Sequence, residues 1–367
     1  MRKMILAGTA LLAACGSQAP ANGGEAAAGD RAGTERTVQP ASRSFRDWMV
    51  GCDNGDDCVA IAGPVDGSAG WLRVALGAGP DARPAIMAGL WSNGPENAAA
   101  PLTIQIDGRS FGLTPHGELG EAGVGVLAAD QARAALAALA AARSLKLVKG
   151  SDSVDLSPNG ASAALLWIDE RQGRLDTPTA LIRRGERATD GVPAAPVLPR
   201  IRPAVAVDQT GMPGPDGAAP ALPAALAGLA EVKQCAANLS WNPGLSGAVT
   251  RYRLDARSEL WGVPCDAGAY NLTMLYWITG PNGANPRAAA FRGLDGEAQA
   301  ELTNAAYDPV ARTLSQFAKG RGIGDCGVFQ TWTWTAHGFV LSHEAAMGEC
   351  WGVPSELWPT RWRSRTD

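Results

Sequence analysis

Residues 45–60 read FRDWMVGCDNGDDCVA, and this stretch indicates most clearly how the chain begins to fold. Strand-forming residues lie near 45–52 and 57–62, on either side of Asn54 and Gly55, and Asn-Gly is the preferred centre of a tight hairpin turn. Cys52 and Cys58 flank the turn and are close enough to pair across it. The stretch therefore predicts two antiparallel strands joined by a braced turn.

Downstream, the pattern changes from strands to helices. Further strand-like runs, separated by Gly, Asn and Pro turns, lie near 71–77, 84–91 and 101–106. Asp130 is a candidate N-cap for an Ala/Leu-rich helix that extends to about Ala142. A strand at 145–149 and a second helix near 160–172 follow. We therefore expect an α+β domain over residues 44–186, with a small antiparallel sheet and two helices.

A second domain is predicted beyond a proline-rich segment. Residues 187–220 are rich in proline and predict an extended linker. The segment ALPAALAGLAEVKQC, residues 221–235, is helix-like, and the remainder alternates as β hairpins. Trp332 and Trp334 are two residues apart, so they lie on one face of a strand. Residues 221–367 therefore predict a domain that is mainly an antiparallel β meander with an N-terminal helix.

The N-terminus has the pattern of a lipoprotein export signal. Arg2 and Lys3 precede a short apolar run that ends before Cys15. We expect residues 1–14 to be a signal peptide and Cys15 to carry the lipid, palmitate included; the alternative is an ordinary signal peptide with a chance cysteine. The small, polar residues 15–43 predict a flexible tether. Because the residue after Cys15 is not Asp, the expected location is the outer membrane, facing the periplasm.

Charge and hydropathy exclude two classes of protein. Without Arg2 and Lys3, 30 of the 32 basic residues remain against 36 acidic ones, so a nucleic acid is not an expected partner. No later segment has the 18 continuous apolar residues of a membrane-spanning helix. The lipid is thus the expected membrane contact, and several acyl chains make such attachment stable.

Six cysteines remain after Cys15, and an even number in an oxidising compartment predicts three disulfides. Cys52 is expected to pair with Cys58. Fifteen pairings of six cysteines exist, and for the other four we favour Cys235–Cys265 and Cys326–Cys350. A zinc site is not expected, because the chain has no CxxC pair and only three histidines.

Two loops are candidate ion sites. Asp53, Asp56 and Asp57 offer hard oxygen ligands for Ca²⁺, although a disulfide-braced tight turn is the favoured interpretation. Lys319 and Arg321 lie in the glycine-rich run KGRGIG and are candidate ligands for a lipid phosphate or an acidic glycan. A glycine-rich hairpin is the favoured interpretation, since the run lacks the Lys-Ser/Thr ending of a phosphate loop.

Tryptophan is concentrated in the second half of the chain. Eight of the twelve tryptophans follow residue 240, which suits a core, a sugar-stacking platform or a protein interface. The alternation of Trp332 and Trp334 with threonines favours burial for that pair. Trp358 and Trp362, close to Pro359 and several arginines, are instead expected at a ligand-binding surface.

Four segments, in order, resemble a known family: FRDWMVGCDNGDDCVA (45–60), GASAALLWIDERQGRLDTPTALIRRG (160–185), ELWGVPCDAGAYN (259–271) and FAKGRGIGDCG (317–327). They resemble the bacterial envelope family called domain of unknown function 1176, over about residues 44–363. The first half also resembles invasion-associated locus B proteins, which share the W-x-V-x-C opening. The resemblance implies a secreted or periplasmic protein and supplies no catalytic residues.

The sequence thus predicts a non-enzymatic binding or envelope-integrity protein. It contains no G-x-S-x-G elbow and no complete H-E-x-x-H motif, and we assign no catalytic residue, cofactor or metal. The expected partners are the membrane, through the lipid, and an envelope glycan or protein. One alternative is an enzyme acting on envelope glycans, which requires two carboxylates in a cleft. The other is an inhibitor of a muralytic enzyme, which presents an exposed loop.

Overall fold

Ten antiparallel strands of the N-terminal half form one sheet in the computed structural model, which describes residues 36–91, 97, 99–213 and 218–366. The sheet order is β1-β2-β3-β4-β5-β8-β7-β6-β9-β10. In chain order, the strands are β1 (Ala41–Phe45), β2 (Trp48–Cys52), β3 (Cys58–Ala62), β4 (Gly70–Leu76), β5 (Ala85–Leu90), β6 (Leu102–Ile106), β7 (Arg109–Pro115), β8 (Val124–Leu127), β9 (Leu145–Lys149) and β10 (Asp152–Leu156).

Two helices cover one face of this sheet: α1 (Ala132–Ala140) and α2 (Ala161–Arg171). Each has an apolar stripe, Leu136 and Leu139 on α1 and Leu165 and Ile168 on α2, that packs into the same core as the sheet. Gln131, not Asp130, is the N-cap of α1, and it gives no side-chain cap.

The predicted α+β class with a small sheet is wrong, because the chain is mostly β and its N-terminal sheet has ten strands. Strands such as β7 and β10 were not predicted. Their residues alternate between exposed and buried, and they include polar residues or glycine. These strands extend the sheet by pairing β7 with β6 and β8, and β10 with β9. The two helices are short additions to this sheet.

The central strands are buried on both faces. All five residues of β3 are buried, which explains its continuous apolar sequence. One face packs on the helices, and the other contributes Ile61, Trp71 and Met87 to a second core. Residues of the C-terminal half, among them Met347 and Trp358, complete that second core.

The C-terminal half consists of two antiparallel five-stranded sheets and shorter pairs. The strands are β11 (Arg200–Ile201), β12 (Thr250–Arg253), β13 (Glu259–Ala267), β14 (Leu272–Gly280), β15 (Ala284–Ala288), β16 (Phe291–Arg292), β17 (Ala298–Gln299), β18 (Glu301–Thr303), β19 (Ala306–Asp308), β20 (Thr313–Lys319), β21 (Gly327–Thr335), β22 (Gly338–Met347), β23 (Thr360–Arg363) and β24 (Arg365–Thr366). Strands β19 to β23 follow one another as a meander. Trp332 and Trp334 are buried in the core between the sheets.

Short helices lie before and beside these sheets: α3 (Ala224–Ala227), α4 (Ala230–Asn238) and α5 (Pro243–Ser246). Single 3₁₀ turns occur at Gly117–Gly120, Thr189–Gly191, Pro281–Gly283 and Ser355–Leu357. Helix α4 is held to β13 by a disulfide between Cys235 and Cys265. The other disulfides join Cys52 to Cys58 and Cys326 to Cys350, so all three are the pairs favoured from the sequence.

Residues Arg36–Asp367 form one compact unit, while the division into domains at 187–220 stays a prediction. Within that segment, β11 pairs in parallel with β24, and the Ala204 amide donates to the Trp334 carbonyl. The predicted signal peptide, Cys15 and most of the predicted tether lie outside the described residues. Among the described helices, none is long and apolar enough to cross a membrane.

Candidate functional site

A row of polar side chains runs across strands β20, β21 and β22 of the meander, at positions that pair between neighbouring strands. Gln316 of β20 lies opposite Gln330 of β21, and Gln330 lies opposite Glu344 of β22. All three are buried, whereas strands normally place such residues in solvent. We call Gln299, Gln316, Gln330 and Glu344 the amide row, because Gln299 at the end of β17 joins the same network.

Two hydrogen bonds connect Gln316 through Gln330 to the Glu344 carboxylate, and a third connects Gln316 to Gln299. Gln316 Nε2 donates to Gln330 Oε1 at 2.5 Å, and Gln330 Nε2 donates to Glu344 Oε2 at 2.7 Å. Gln316 Nε2 also donates to Gln299 Oε1 at 2.9 Å. The other carboxylate oxygen, Glu344 Oε1, lies 2.8 Å from Nη1 of the half-exposed Arg361. The row is thus a connected network that ends in an ion pair.

The amide row lines a cavity of about 380 Å³ that adjoins a second one of about 640 Å³. Leu294, Asp295 and Arg361 line both, so we describe the two together as the polar cleft. Its larger part lies against β1 and β2 and has an apolar wall that includes Met49 and Pro359. The polar cleft therefore combines a hydrogen-bonding wall with an apolar one.

The acidic hairpin, residues 53–57, is neutralised by arginines. Arg363 approaches Asp53 Oδ2 with Nε and Asp57 Oδ2 with Nη2, both at 2.6 Å. Arg36 and Arg171 contact the two carboxylate oxygens of Asp56, at 2.7 Å and 2.9 Å. A calcium ion bound by Asp53, Asp56 and Asp57 would have to compete with these three guanidinium groups.

Local geometry at the hairpin also explains its sequence. Asp53 Oδ1 accepts hydrogen bonds from the amides of Gly55 and Asp57, which closes the turn. Burial raises the pKa of Asp53, and the charge of Arg363 opposes that rise. A Cβ at position 55 would lie 2.3 Å from the present position of Arg363 Nη2, so glycine there leaves room for this ion pair.

The predicted anion site at Lys319 and Arg321 does not have a free guanidinium. Arg321 forms a two-point ion pair with Asp325, and its Nη2 donates to the Cys350 carbonyl at 2.9 Å. The pKa of Asp325 is lowered: burial acts in the opposite direction but is outweighed by Arg321 and by the Gly352 amide. The Lys319 ammonium lies over the Phe317 ring, 5.6 Å from its centroid. These groups hold the 317–352 region together.

Asp325, Cys326 and Cys350 form the one cluster of metal-type ligands found among the described residues. Both sulfurs belong to one disulfide and are therefore unavailable as thiolate ligands. The cluster does not have the donor set of a metal centre.

Trp358 does not lie at a ligand-binding surface, contrary to the sequence-based expectation. Its side chain is 2% exposed, its indole donates to the Val353 carbonyl at 2.9 Å, and its ring packs edge-on against Phe317. Trp362 is half-buried and lies opposite Glu344, beside the amide row. The nearby proline and arginines suggested a surface, but Trp358 belongs to the core shared by the two halves.

The segment 160–185, which contributes to the family resemblance, contains three buried polar residues that hydrogen-bond to neighbouring segments: Asp169, Gln172 and Arg174. Asp169 accepts hydrogen bonds from the amides of three consecutive residues, 181–183, at 2.6 to 3.3 Å. Gln172 Nε2 donates to the carbonyls of Asp56 and Leu76. Arg174 donates to the carbonyls of Gly77 and Gly79. These polar residues join helix α2 to the acidic hairpin and to the end of β4, so their role is structural.

The amide row was not predicted from the sequence, although the spacing of its residues is a signal. Gln316, Gln330 and Glu344 are spaced by 14 residues, which is the repeat of the β20–β21–β22 hairpins. Each lies in a strand-like run among apolar or β-branched neighbours. A repeated spacing equal to the hairpin length indicates residues that meet across strands.

A family model and a relative both match the chain to uncharacterised proteins. The family model described as "Protein of unknown function (DUF1176)" matches residues 42–365. The "Uncharacterized protein YpfG" of Escherichia coli (strain K12) is 32% identical over 347 residues, covering 89% of this chain and 94% of that protein. The crystal structure of invasion associated protein B from Bartonella henselae aligns at 16% identity and a TM-score of 0.29, over 36% of this chain and 99% of that one.

Proposed function

The chain belongs to the DUF1176 family of proteins of unknown function, and from that premise we propose that it is a lipid-anchored binding protein of the bacterial envelope whose polar cleft holds a glycan chain. The observation that supports this is the buried amide row on the wall of an open cleft. Burying amides and a carboxylate is costly even when they are paired, and an apolar sheet of similar volume is often as stable. The position of such a row on the wall of a cleft therefore favours a ligand-binding role.

The amide row has unused hydrogen-bonding capacity. A primary amide has two N–H donors, and Gln299 and Gln330 each use one of them within the described network. The remaining N–H groups and the Glu344–Arg361 pair suit hydroxyl and acetamido groups, which both donate and accept. The apolar wall at Met49 and Pro359 suits the C–H faces of sugar rings. A glycan strand offers both kinds of surface along its length.

Calorimetric titration of the full chain with a disaccharide peptide fragment of peptidoglycan tests this proposal. We expect saturable binding, and at one hundred times Kd a stabilisation of about 2.7 kcal/mol in thermal unfolding. Arg361→Gln and Glu344→Gln should each weaken binding about tenfold, because each removes one member of the ion pair at the cleft.

Arg365→Gln is the matched control, since Arg365 is an exposed arginine of the same terminal segment that does not line the polar cleft. It should bind like the parent protein. The proposal fails if the fragment does not bind at millimolar concentration. It also fails if the two cleft variants, shown to be folded by circular dichroism, bind as tightly as Arg365→Gln.

The lipid anchor is supported by the N-terminal sequence and has its own test. Cys15→Ala should move the full chain from the membrane fraction to the soluble fraction of the periplasm, because the acyl chains provide the membrane affinity. Gly16→Asp should retain the lipid but shift the protein to the inner membrane. Membrane association that persists in Cys15→Ala would contradict the anchor.

Hydrolysis is the second candidate function, favoured by one observation. Asp295, Glu301 and Glu344 all line the smaller cavity, and a glycosidase needs two carboxylates in a cleft. Chromatography of the fragment after long incubation distinguishes the two functions. Cleavage by the parent protein that Glu344→Gln abolishes would make the chain an enzyme, whereas intact fragment supports binding alone.

A further inference from the structure

A cavity of about 390 Å³ lies away from the polar cleft, on the helical side of the N-terminal sheet. It is enclosed by residues 82–84 before β5, by the first two turns of α1 and by the loop 178–184. Apolar side chains, including Pro84, Leu136 and Pro178, form much of its lining. Its size is in the range of small-molecule sites.

Three arginines line this cavity: Arg83, Arg133 and Arg184. Its described lining includes no acidic residue, and none of the three makes an ion pair with a described carboxylate. Other arginines of the chain, such as Arg171, Arg321 and Arg363, are paired. All three are exposed, so the cavity presents positive charge to solvent without a described carboxylate beside it.

The Arg184 guanidinium is held by the loop that carries it. Arg184 donates to the Pro178 carbonyl, which fixes it at the cavity. Partial burial and the charge of Arg133 lower the pKa of Arg184, while the charge of Asp169 opposes this effect. Repulsion between neighbouring cations is relieved by an anion placed between them. The uncapped N-terminus of α1 adds a weaker preference for negative charge.

We propose that this arginine pocket binds a phosphate monoester that carries a small apolar group. A phosphate monoester bears up to two negative charges at neutral pH and three acceptor oxygens, which match several guanidinium forks better than a single carboxylate does. The apolar lining accommodates the substituent. The site is separate from the polar cleft, so it does not depend on the proposed glycan binding.

Titration of the full chain with n-butyl phosphate and with inorganic phosphate tests the proposal. The butyl ester should bind at least about tenfold more tightly than inorganic phosphate, because its methylene groups are buried in the pocket. Arg133→Gln and Arg184→Gln should each weaken butyl phosphate binding by about tenfold or more. Arg287→Gln, which removes an exposed arginine of β15, is the control and should leave binding unchanged.

Vesicles identify the source of the phosphate. These measurements use a Cys15→Ala background, because the acyl chains would otherwise bind vesicles by themselves. Binding to phosphatidylcholine vesicles that contain phosphatidic acid, lost when Arg133→Gln is added, would assign the pocket to a lipid headgroup. Binding of butyl phosphate without vesicle binding would assign it to a soluble ester. The proposal is overturned if inorganic phosphate binds as tightly as the ester. Equal affinities of Arg133→Gln, Arg184→Gln and Arg287→Gln for the ester would overturn it as well.

Discussion

At the scale of single residues, the buried carboxylate of Asp169 fixes the conformation of the loop at residues 181–183. Its Oδ1 accepts from the Leu181 amide, and its Oδ2 accepts from the Ile182 and Arg183 amides. Asp169→Asn keeps the shape of the side chain, but it places a side-chain N–H group against the backbone N–H donors of residues 181–183. We expect the free energy of unfolding to fall by about 2 kcal/mol, measured by urea denaturation. Glu170→Gln, an exposed neighbour, should change it little; equal effects of the two would contradict this role.

His343 should make stability depend on pH. Its ring is half-buried, contacts Phe329 edge-on, and has a buried Nδ1 without a hydrogen-bond partner among the described groups. Burial lowers the pKa of His343 below its usual 6.5, and the charge of Arg363 lowers it further. The unfolded chain therefore takes up a proton at a higher pH than the folded protein does. Stability is fully present above pH 6.5 and decreases as pH falls from 6.5 toward the folded pKa.

Urea denaturation between pH 7.5 and about 5 measures this effect, since carboxylates titrate mainly at lower pH. His343→Gln should flatten the decrease in stability over that range. His337→Gln, which removes an exposed histidine of the adjacent turn, should retain the slope of the parent protein. If His343→Gln retains that slope as well, the ring does not resist protonation in the folded state.

At the scale of elements, strand positions were predictable, but their assembly was not. The runs near 57–62 and 101–106 correspond to β3 and β6, because apolar runs between turn residues are a local signal. The order β5-β8-β7-β6-β9 depends on pairings between distant segments, which no local pattern specifies. The amide row was not predicted for a related reason. From the sequence alone Gln330 is expected to be solvent-exposed, and only the strand pairing places Gln316 and Glu344 beside it.

The disulfides should stabilise their elements according to the length of the loops they close. Cys326–Cys350 joins residues 24 apart, and Cys52–Cys58 joins residues 6 apart. Because a disulfide reduces the entropy of the unfolded chain, the expected stabilisation is about 3.5 kcal/mol for the longer loop and about 2 kcal/mol for the shorter one. Cys326→Ala/Cys350→Ala should therefore lower the free energy of unfolding more than Cys52→Ala/Cys58→Ala in urea denaturation. The reverse order would show that the acidic hairpin depends on its disulfide for more than entropy.

At the scale of the whole molecule, the loop at Gly352 is one of several places where the two halves meet. The Gly352 carbonyl accepts hydrogen bonds from the indoles of Trp71 and Trp91, at 3.0 Å and 3.1 Å. The Gly352 amide donates to Asp325 at 2.7 Å, and its φ of 85° is a conformation suited to glycine. Residues of the N-terminal sheet and of the meander thus meet at a single backbone position. We therefore expect a change in this loop to reach the N-terminal sheet.

If that shared core couples the halves, they should unfold together. Trp358→Ala removes a large buried side chain from a core that also contains Ile61 and Met87, at a cost of about 3 to 5 kcal/mol. Amide hydrogen exchange should then accelerate in β3 and β5 as well as in β21 and β22, because opening requires both halves. Trp241→Ala, which removes a 66% exposed indole, should leave all four strands protected. Acceleration confined to β21 and β22 would mean instead that residues 44–186 fold as an independent domain.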